Sequence, residues 1–246
     1  MINLIARYIR RLLRTHWGIE ISYSKYCPHL SERKIINHYL GAQTNIGMIF
    51  DVGANVGQSA LEFAKSFPEA VIHSFEPFEA NFNKLVHNTR NTVAIRSHRL
   101  ALSDRNGSID VLVDNVANSE WNSITEKRQV EMKSSSDFSK ESVLLSRGDS
   151  FCEVQGISGI DVLKVDTEGH DVEVIKGFQG MFETGSISSV IVEVGFLEDQ
   201  THGNFQKINS YLIGKGMRLA GFYETCYFES GKCEYTNALY ITPANP

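Results

Sequence analysis

In MIFDVGANVGQSAL, residues 48 to 61, an apolar run is followed by two glycines and then by a helical pattern. The run at 48–50 suits a short strand that is buried on both faces. Gly53 and Gly57 bracket a tight loop, and from Gln58 the apolar residues recur with the period of a helix. Strand, glycine-rich turn and helix together predict a nucleotide-type site, in which glycines let backbone N–H groups approach a ligand.

A carboxylate leads this turn, which reads D-x-G-x-x-x-G from Asp51. A dinucleotide site reads G-x-G-x-x-G instead and receives the pyrophosphate at the N-terminus of its helix. Asp51 at the tip of the strand would repel a pyrophosphate but would suit a cationic ligand. S-adenosylmethionine carries an ammonium and a sulfonium, so the turn favours this cofactor over NAD. The alternative is an Asp that only caps the turn.

The length of 246 residues allows one large α/β domain with an extension, and we expect an N-terminal helical extension at 1–46 and the main domain at 47–246. Apolar residues make up 42% of the chain and charged residues 22%, which is ordinary for a soluble globular protein. The chain has no apolar run long enough to span a bilayer, and its N-terminus lacks the pattern of a signal peptide. These features predict a cytoplasmic protein.

The net charge of −5 hides an asymmetry, because residues 1–34 carry +5 and the remainder carries −10. An acidic body argues against a nucleic-acid partner, since neutralised phosphates supply most of that affinity. It fits a small-molecule or glycan substrate better. Residues 1–16 are typical of a basic amphipathic helix, which either contacts the inner face of an anionic membrane peripherally or packs on the domain or on a partner subunit. Packing is favoured, and the oligomeric state stays open.

From Met48 onward, strands and helices alternate, which predicts a mostly parallel sheet that is covered on both faces. The apolar face of the first helix is predicted at Leu61, Phe63, Ala64 and Phe67. Further strands are predicted at 70–75, 93–98, 108–113, 161–165 and 190–194, and helices at 79–90 and 203–215. Asn106-Gly107 is a hairpin signal. The polar, serine-rich residues 114–142 predict a long loop of the kind that covers a site.

Acidic residues follow four of the predicted strands, at Asp51, Glu76, Asp166 and Glu193. In an open α/β sheet, ligands bind outside the carboxyl ends of the strands. Glu76 lies 25 residues after Asp51, at the place where an acid on the second strand accepts hydrogen bonds from ribose hydroxyls. Charged groups at the tips of apolar strands are costly unless something pairs with them. The four acids therefore predict a ligand site at this edge of the sheet.

Several segments together resemble the FkbM-type family of S-adenosylmethionine-dependent methyltransferases. They are D-V-G-A-N-V-G-Q, F-E-P, A-L-S-D-x-x-G and L-K-V-D-T-E-G-H-D-V-E-V-I-K-G. The similarity extends from Met48 to Ile241, and its most distinctive part is Lys164 to Gly177. The resemblance implies a Rossmann-like, mostly parallel sheet of seven strands, in which the antiparallel last strand is formed by residues 238–242.

The same resemblance implies roles for individual residues. Glu76 would bind the ribose diol, Ala101 would border the adenine, and Asp166 would stand where the sulfonium and the acceptor meet. Thr167 and His170 depart from the usual family pattern, because apolar residues often occupy these places. The residues implied for the methionine end of the cofactor are Asp51, Gly53, Asn55 and Gly57.

An alcohol that accepts a methyl group must lose its proton, so a general base is required. The candidates are Asp166, Glu168, Glu193 and His170. Of these, only His has an ordinary pKa near neutrality, and the dipole of a following helix would lower the pKa of His170. Asp166 and Glu168 could instead hold a divalent cation, but two acids fall short of a full ligand set, so a metal is not favoured.

The serine-rich loop contributes Trp121 and Ser123 as candidates for contact with a sugar, and Glu193 is a further candidate for the substrate site. Trp121 could equally pin the loop to the domain. The residues and the resemblance together predict O-methylation of a hydroxyl on a glycan, glycolipid or other natural product. The alternatives are an NAD-dependent oxidoreductase and a non-catalytic, membrane-docked scaffold with the same fold.

Overall fold

The apolar run that opens the decisive stretch forms strand β1 (Met48–Val52) in a computed structural model that describes residues 46–114, 124, 138–196, 202–227 and 233–243. β1 is an inner strand of an eight-stranded sheet. The other strands of this sheet are β2 (Val71–Phe75), β3 (Ile95–His98), β7 (Ile160–Val165), β8 (Ile187–Gly195), β9 (Gly203–Asn204), β10 (Arg218–Tyr223) and β11 (Tyr235–Ile241).

The order of strands across the main sheet is β10-β11-β8-β7-β1-β2-β3. The pairs from β3 to β8 are parallel, and β11 is antiparallel to both β8 and β10. The predicted α/β, Rossmann-like architecture with an antiparallel last strand is therefore confirmed. The predicted number of seven strands was wrong, because β9 pairs with the end of β8 and makes an eighth.

Helices cover the sheet because each of its strands alternates side chains between two apolar faces. Phe50 of β1 belongs to a core cluster that includes Phe151 and Leu212 from two different helices and Phe178 from a turn between two others. Ile49 belongs to a second cluster with Phe63. The helices are α1 (Gln58–Ser66), α2 (Glu79–Thr89), α3 (Gly148–Gln155), α4 (Asp171–Lys176), α5 (Gln179–Glu183) and α6 (Phe205–Gly214).

A second sheet of three strands was not predicted. It consists of β4 (Ala101–Ser103), β5 (Gly107–Asp114) and β6 (Phe138–Arg147), in the order β4-β6-β5. Asn106-Gly107 therefore does not close a hairpin of paired strands, because β4 and β5 each pair with β6 instead of with each other. The prediction of a loop at 114–142 was wrong at its C-terminal end, because residues 138–142 belong to β6. Residues 115–123 and 125–137 lie outside the described part of the chain.

Two further details of the sequence prediction were wrong. Leu61 was placed on the apolar face of α1, but its side chain is 36% exposed, and Ala60 and Phe63 are the buried residues of this helix. The strand predicted from Val93 begins at Ile95, and Val93 is 98% exposed. Both errors arise because apolar residues on the surface resemble core residues in sequence.

Predictions for the N-terminus fall on residues 1–45, which lie outside the described part of the chain. They are the amphipathic helix at 1–16, its membrane contact and the helical extension. Ile46, the first described residue, is buried in the second core cluster. Among the described residues, no helix has the length and apolar character needed to cross a membrane.

The packing of α4 on the second sheet yields a prediction at Gly177, which follows that helix. A Cβ added at Gly177 would lie 2.1 Å from the carbonyl oxygen of Ser103, although the residue has an ordinary φ of −62°. Gly177→Ala should therefore lower the free energy of unfolding by about 2 kcal/mol through overpacking alone. Gly214→Ala, at a helical position with no atom within 4 Å, is the matched control and should be neutral or slightly stabilising. Equal urea midpoints for the two variants would contradict this account.

Candidate active site

A cleft lies at the carboxyl ends of β1, β2 and β7. Its empty volume is about 690 Å³ when the space open to solvent at its entrance is included. This is the edge at which ligands bind in open α/β sheets. The cleft is lined by three carboxyl groups, those of Glu76, Asp166 and Glu168, and by no Lys or Arg among the described residues. Its lining includes seven of the residues singled out from the sequence: Gly53, Asn55, Glu76, Ala101, Asp166, Glu168 and His170.

The glycine turn after β1 is shaped by packing. The N–H groups of Gly53 and Ala54 both donate to the carbonyl of Phe75, at 3.0 and 2.9 Å. The expectation that the amides of this turn reach a ligand was therefore wrong for these two groups. Gly53 has a φ of 80°, and a Cβ there would lie 1.8 Å from the carbonyl oxygen of Asp166, so only glycine lets the two loops meet.

Gly57 does not line the cleft. It has a φ of 94°, and a Cβ there would lie 2.9 Å from Leu85 Cδ1 and 3.1 Å from Thr89 Cγ2. Its role in the structure is to let the start of α1 pack against α2. Whether it also contacts a cofactor stays a prediction.

Glu76 is a buried acid that is held by backbone donors. Its Oε2 accepts a hydrogen bond from the N–H of Asn55 and its Oε1 accepts one from the N–H of Phe78, each at 3.0 Å. No Lys or Arg of the described residues lies within ion-pair distance. Burial raises the pKa of Glu76 to about 8, against the opposing effect of the two N–H donors, and nearby Glu141 and Asp51 raise it further.

Lys164 holds the ends of β1 and β7 together, and the sequence reasoning assigned it no role. Its Nζ lies 3.0 Å from Oδ2 of Asp166 and 3.5 Å from Oδ1 of Asp51. Burial lowers the pKa of Lys164, but the two carboxylates, with Glu193, outweigh that effect and raise it above its usual value. Asp51 is fully buried and does not line the cleft, so its predicted contact with a cofactor stays untested.

The loop between β7 and α4 is fixed by Asp171, which the sequence reasoning also passed over. Asp171 Oδ1 accepts hydrogen bonds from the N–H and the hydroxyl of Thr167, at 2.9 and 3.0 Å, and Oδ2 accepts one from the N–H of Gly169 at 3.2 Å. The loop passes through left-handed backbone at Glu168, with φ 52°, and at Gly169, with φ 94°. A non-glycine residue in this conformation is uncommon and is found most often at functional sites.

Glu168 lines the cleft within a group of charged neighbours. Burial raises the pKa of Glu168 to about 7, and the carboxylates of Asp166, Glu193 and Asp171 add to the rise, while His202 opposes it. A carboxyl group with a pKa near neutrality can accept and return a proton at ordinary pH. Glu168 meets this criterion.

His170 also lines the cleft. Its Nε2 lies 3.0 Å from the hydroxyl oxygen of Ser103, and its Nδ1 lies 3.8 Å from Glu173. Burial lowers the pKa of His170 to about 4; the nearby carboxylate of Asp104 opposes this shift, and the cation of Arg105 adds to it. The predicted direction of this shift agrees with the structure, in which burial is the largest cause, and the contribution of the helix dipole stays a prediction.

Glu193, at the end of β8, lies outside the lining of the cleft. Its Oε1 is 2.8 Å from Nδ1 of His202, whose ring packs against Tyr235 with the two centroids 4.7 Å apart. The predicted candidates Trp121 and Ser123 fall outside the described residues. Ile124, which is described, forms part of the wall of the cleft near Ala101. Among the described residues, no group of three or more His, Cys, Asp or Glu side chains is arranged to hold a metal ion.

The parallel strand order, the antiparallel β11 and the acidic cleft at the carboxyl edge define a Rossmann-like α/β domain of the kind that the sequence resemblance implies for methyltransferases. The chain belongs to the FkbM methyltransferase family, since the methyltransferase FkbM domain matches residues 51–222. The fold and family predictions are therefore confirmed.

The chain is similar to several named methyltransferases. It is 27% identical to the hexuronic acid methyltransferase AglP of Haloferax volcanii, over 66% of this chain and 62% of that protein. It is 31% identical to the 2-O-methyltransferase NoeI of Sinorhizobium fredii, over 53% of this chain and 56% of that protein. It is 24% identical to Methyltransferase 1 of Beauveria bassiana, over 70% of this chain and 72% of that protein. The matches thus span between about half and three quarters of these relatives.

The ion pairs of Lys164 yield a stability prediction. Lys164→Met keeps the length of the side chain but leaves the buried Asp51 without its cation, which should lower the free energy of unfolding by about 3 kcal/mol. Lys140→Met is the matched control, because Lys140 pairs with Asp110 on the exposed surface, where ion pairs contribute little. Chemical denaturation of both variants and the parent measures the difference. A loss no larger for Lys164→Met than for Lys140→Met would show that the pair has no structural role.

Proposed function

We propose that this protein is an S-adenosylmethionine-dependent O-methyltransferase that methylates a hydroxyl of a glycan, glycolipid or other natural product. The observation that carries the proposal is the acidic lining of the cleft, which has three carboxyl groups and no Lys or Arg among the described residues. Such a lining can ionise to meet a cationic ligand and offers no cation to a phosphorylated one. Membership of the FkbM methyltransferase family supports the reaction type.

The residues of the cleft fit S-adenosylmethionine, which supplies an electrophilic methyl group when bound. Each oxygen of Glu76 accepts one backbone N–H and keeps capacity for a second donor, such as a ribose hydroxyl. Oδ1 of Asn55 is buried and has no hydrogen-bond partner in the described part of the chain, so it can accept a further donor. Ala101 and Leu102 offer an apolar surface to a flat ring, and Asp166 offers a carboxylate to a cation.

Three further side chains have separate proposed roles in orienting the donor, positioning the acceptor and accepting the proton. Lys164 fixes the carboxylate of Asp166, which would orient the cationic end of the donor. His170 stays neutral and is held by Ser103, so it would position the acceptor by hydrogen bonding more readily than it would remove a proton. Glu168, with a pKa of about 7, is proposed as the base that receives the hydroxyl proton.

The substrate class rests on the relatives. One is named for hexuronic acid and another for 2-O-methylation, and both names describe those proteins alone. They support a hydroxyl-bearing acceptor for this chain, and the acidic lining of the cleft favours a neutral acceptor over an acidic one. An NAD-dependent oxidoreductase is disfavoured, because the N–H groups of Gly53 and Ala54 are already bonded to Phe75 and Asp51 leads the turn.

Calorimetry tests the cofactor and the role of Glu76 together. S-adenosylhomocysteine should bind and NADH should not. Because ribose hydroxyls donate best to an ionised carboxylate, the affinity should weaken as pH falls below about 8, by up to about tenfold per pH unit. Glu76→Gln should weaken binding and flatten this dependence. Glu79→Gln, three residues away on the exposed start of α2, is the control and should preserve both. Binding of NADH alone would reject the proposal.

Transfer of a tritiated methyl group to a panel of glycans and small alcohols tests the reaction. A labelled product that survives mild base is expected, because a methyl ether is stable where a methyl ester is hydrolysed. Glu168→Gln should lower kcat by about a hundredfold or more through loss of the base. Glu69→Gln, on the exposed surface at the opposite edge of the sheet, is the control. Label lost in base would place the methyl group on a carboxylate and contradict the proposed hydroxyl chemistry. Full activity of Asp166→Ala would show that Asp166 does not orient the donor.

A further inference from the structure

His170 is the first member of a chain of three side chains that leads from the cleft into the second sheet. Its Nε2 lies 3.0 Å from Oγ of Ser103, and the same Oγ donates to Oδ1 of Asp104 at 3.3 Å. Ser103 is fully buried at the end of β4, whereas Asp104 is partly exposed. The three groups therefore link a ring that lines the cleft to a carboxylate near the surface.

The donors and acceptors along this chain decide which ring nitrogen carries the proton. A carboxylate only accepts hydrogen bonds, and a serine hydroxyl has one proton to donate. Because Ser103 gives its proton to Asp104, its oxygen can only accept from His170. Nε2 must then carry the hydrogen, which leaves Nδ1 without a proton and able to accept a hydrogen bond.

A second carboxylate competes for the proton from the other side of the ring. Nδ1 of His170 lies 3.8 Å from Oε2 of Glu173, and a proton on Nδ1 would be attracted to this carboxylate. The separation is too long for a hydrogen bond, and the Glu173 side chain is 37% exposed, so solvent and salt weaken the attraction. The shorter contacts through the buried Ser103 therefore favour the hydrogen on Nε2.

We propose that Asp104, acting through Ser103, keeps the proton of His170 on Nε2, so that Nδ1 accepts a hydrogen bond from the methyl acceptor. Nε2 is turned towards the buried Ser103, so Nδ1 is the ring nitrogen left for a ligand in the cleft. The role in acceptor binding rests on the proposed function, whereas the position of the proton is a property of the protein alone. Asp104 and Ser103 are positioning residues, and neither of them lines the cleft.

An Nδ1 without hydrogen selects among acceptors by hydrogen bonding. It can bind a hydroxyl or an N–H group, but it offers no donor to an ether or a carboxylate oxygen. Glu168 is proposed to receive the proton of the hydroxyl that is methylated, so His170 would contact a second hydroxyl of the same molecule. An acceptor with two hydroxyls close together, as in a sugar, meets both requirements.

Nitrogen-15 NMR of protein labelled at its histidines tests the position of the proton, because a ring nitrogen without hydrogen resonates far from one that carries it. The signals of His170 are identified by their absence from His170→Phe. Burial lowers the pKa of His170, so near pH 7 the ring should be neutral, with hydrogen on Nε2 and none on Nδ1. Hydrogen on Nδ1 in the parent protein would overturn the proposal.

Asp104→Asn tests which group sets this arrangement, and it keeps the shape of a partly exposed side chain. An amide can donate to Ser103 as well as accept from it, so the hydroxyl becomes free to donate to Nε2, and a form with hydrogen on Nδ1 should appear. Glu173→Gln removes the carboxylate beside Nδ1 and is the matched control, which should keep the parent spectrum. An unchanged spectrum in Asp104→Asn, or a change in Glu173→Gln alone, would overturn the proposal.

Steady-state kinetics tests the acceptor contact, with the member of the tritiated-methyl panel that is labelled fastest. Asp104→Asn should raise KM for this acceptor by about three- to tenfold, the effect of losing one hydrogen bond, and should leave KM for S-adenosylmethionine unchanged. Glu173→Gln should leave both values unchanged. An acceptor KM that does not change in Asp104→Asn would overturn the role in acceptor binding. If no panel member is labelled, the proposed function itself fails, which is a distinct outcome, and the NMR measurement still decides the position of the proton.

Discussion

The carboxyl edge of the main sheet depends on how closely the ends of β1 and β7 approach each other. The N–H of Asp166 donates to the carbonyl of Val52 at 3.0 Å, and the carbonyl of Asp166 occupies the space that a side chain at Gly53 would need. Lys164 joins the same two strand ends through its ion pairs with Asp51 and Asp166. This approach brings the glycine turn and the 166–171 loop together as two walls of one cleft. A bulkier turn or an uncharged residue at Lys164 would separate them.

Asp171, which is buried, and Glu168, which is partly buried, show how the environment of one loop gives similar groups different roles. The pKa of both Asp171 and Glu168 is raised, mainly by burial. Both carboxylate oxygens of Asp171 accept hydrogen bonds that close the loop, so this carboxyl group has a structural role. Glu168 lies three residues earlier, in strained backbone that faces the cleft. The strain and the cost of a buried acid are tolerated where the geometry serves a ligand, as is common at functional sites.

The features of the fold that could be predicted are those that a local pattern in the sequence encodes. The alternation of strands and helices and the glycine turn appear where expected, because strand tips follow apolar runs and carry their polar residues in a fixed place. Of the four acids predicted to form one ligand site, Glu76 and Asp166 line the cleft, whereas Asp51 and Glu193 do not. The role of Lys164 was not predicted, because a lysine within a strand resembles a surface residue in sequence. Its partner becomes evident only from the register of β1 and β7, which places Lys164 beside Asp51. Strand β6 was not predicted, because its polar residues, such as Ser139 and Lys140, are as typical of a loop as of an exposed strand.

The small sheet that the sequence did not predict completes the site. Ala101 of β4 lines the cleft, and Ser103 of the same strand contacts the 166–171 region twice, through the ring of His170 and through the close approach of its carbonyl oxygen to Gly177. The two contacts lie on either side of α4, so the position of β4 determines where that helix begins and where the loop before it ends. Because Glu168 belongs to that loop, the geometry of the proposed base is set by packing against the second sheet as well as by the strands that carry the acids.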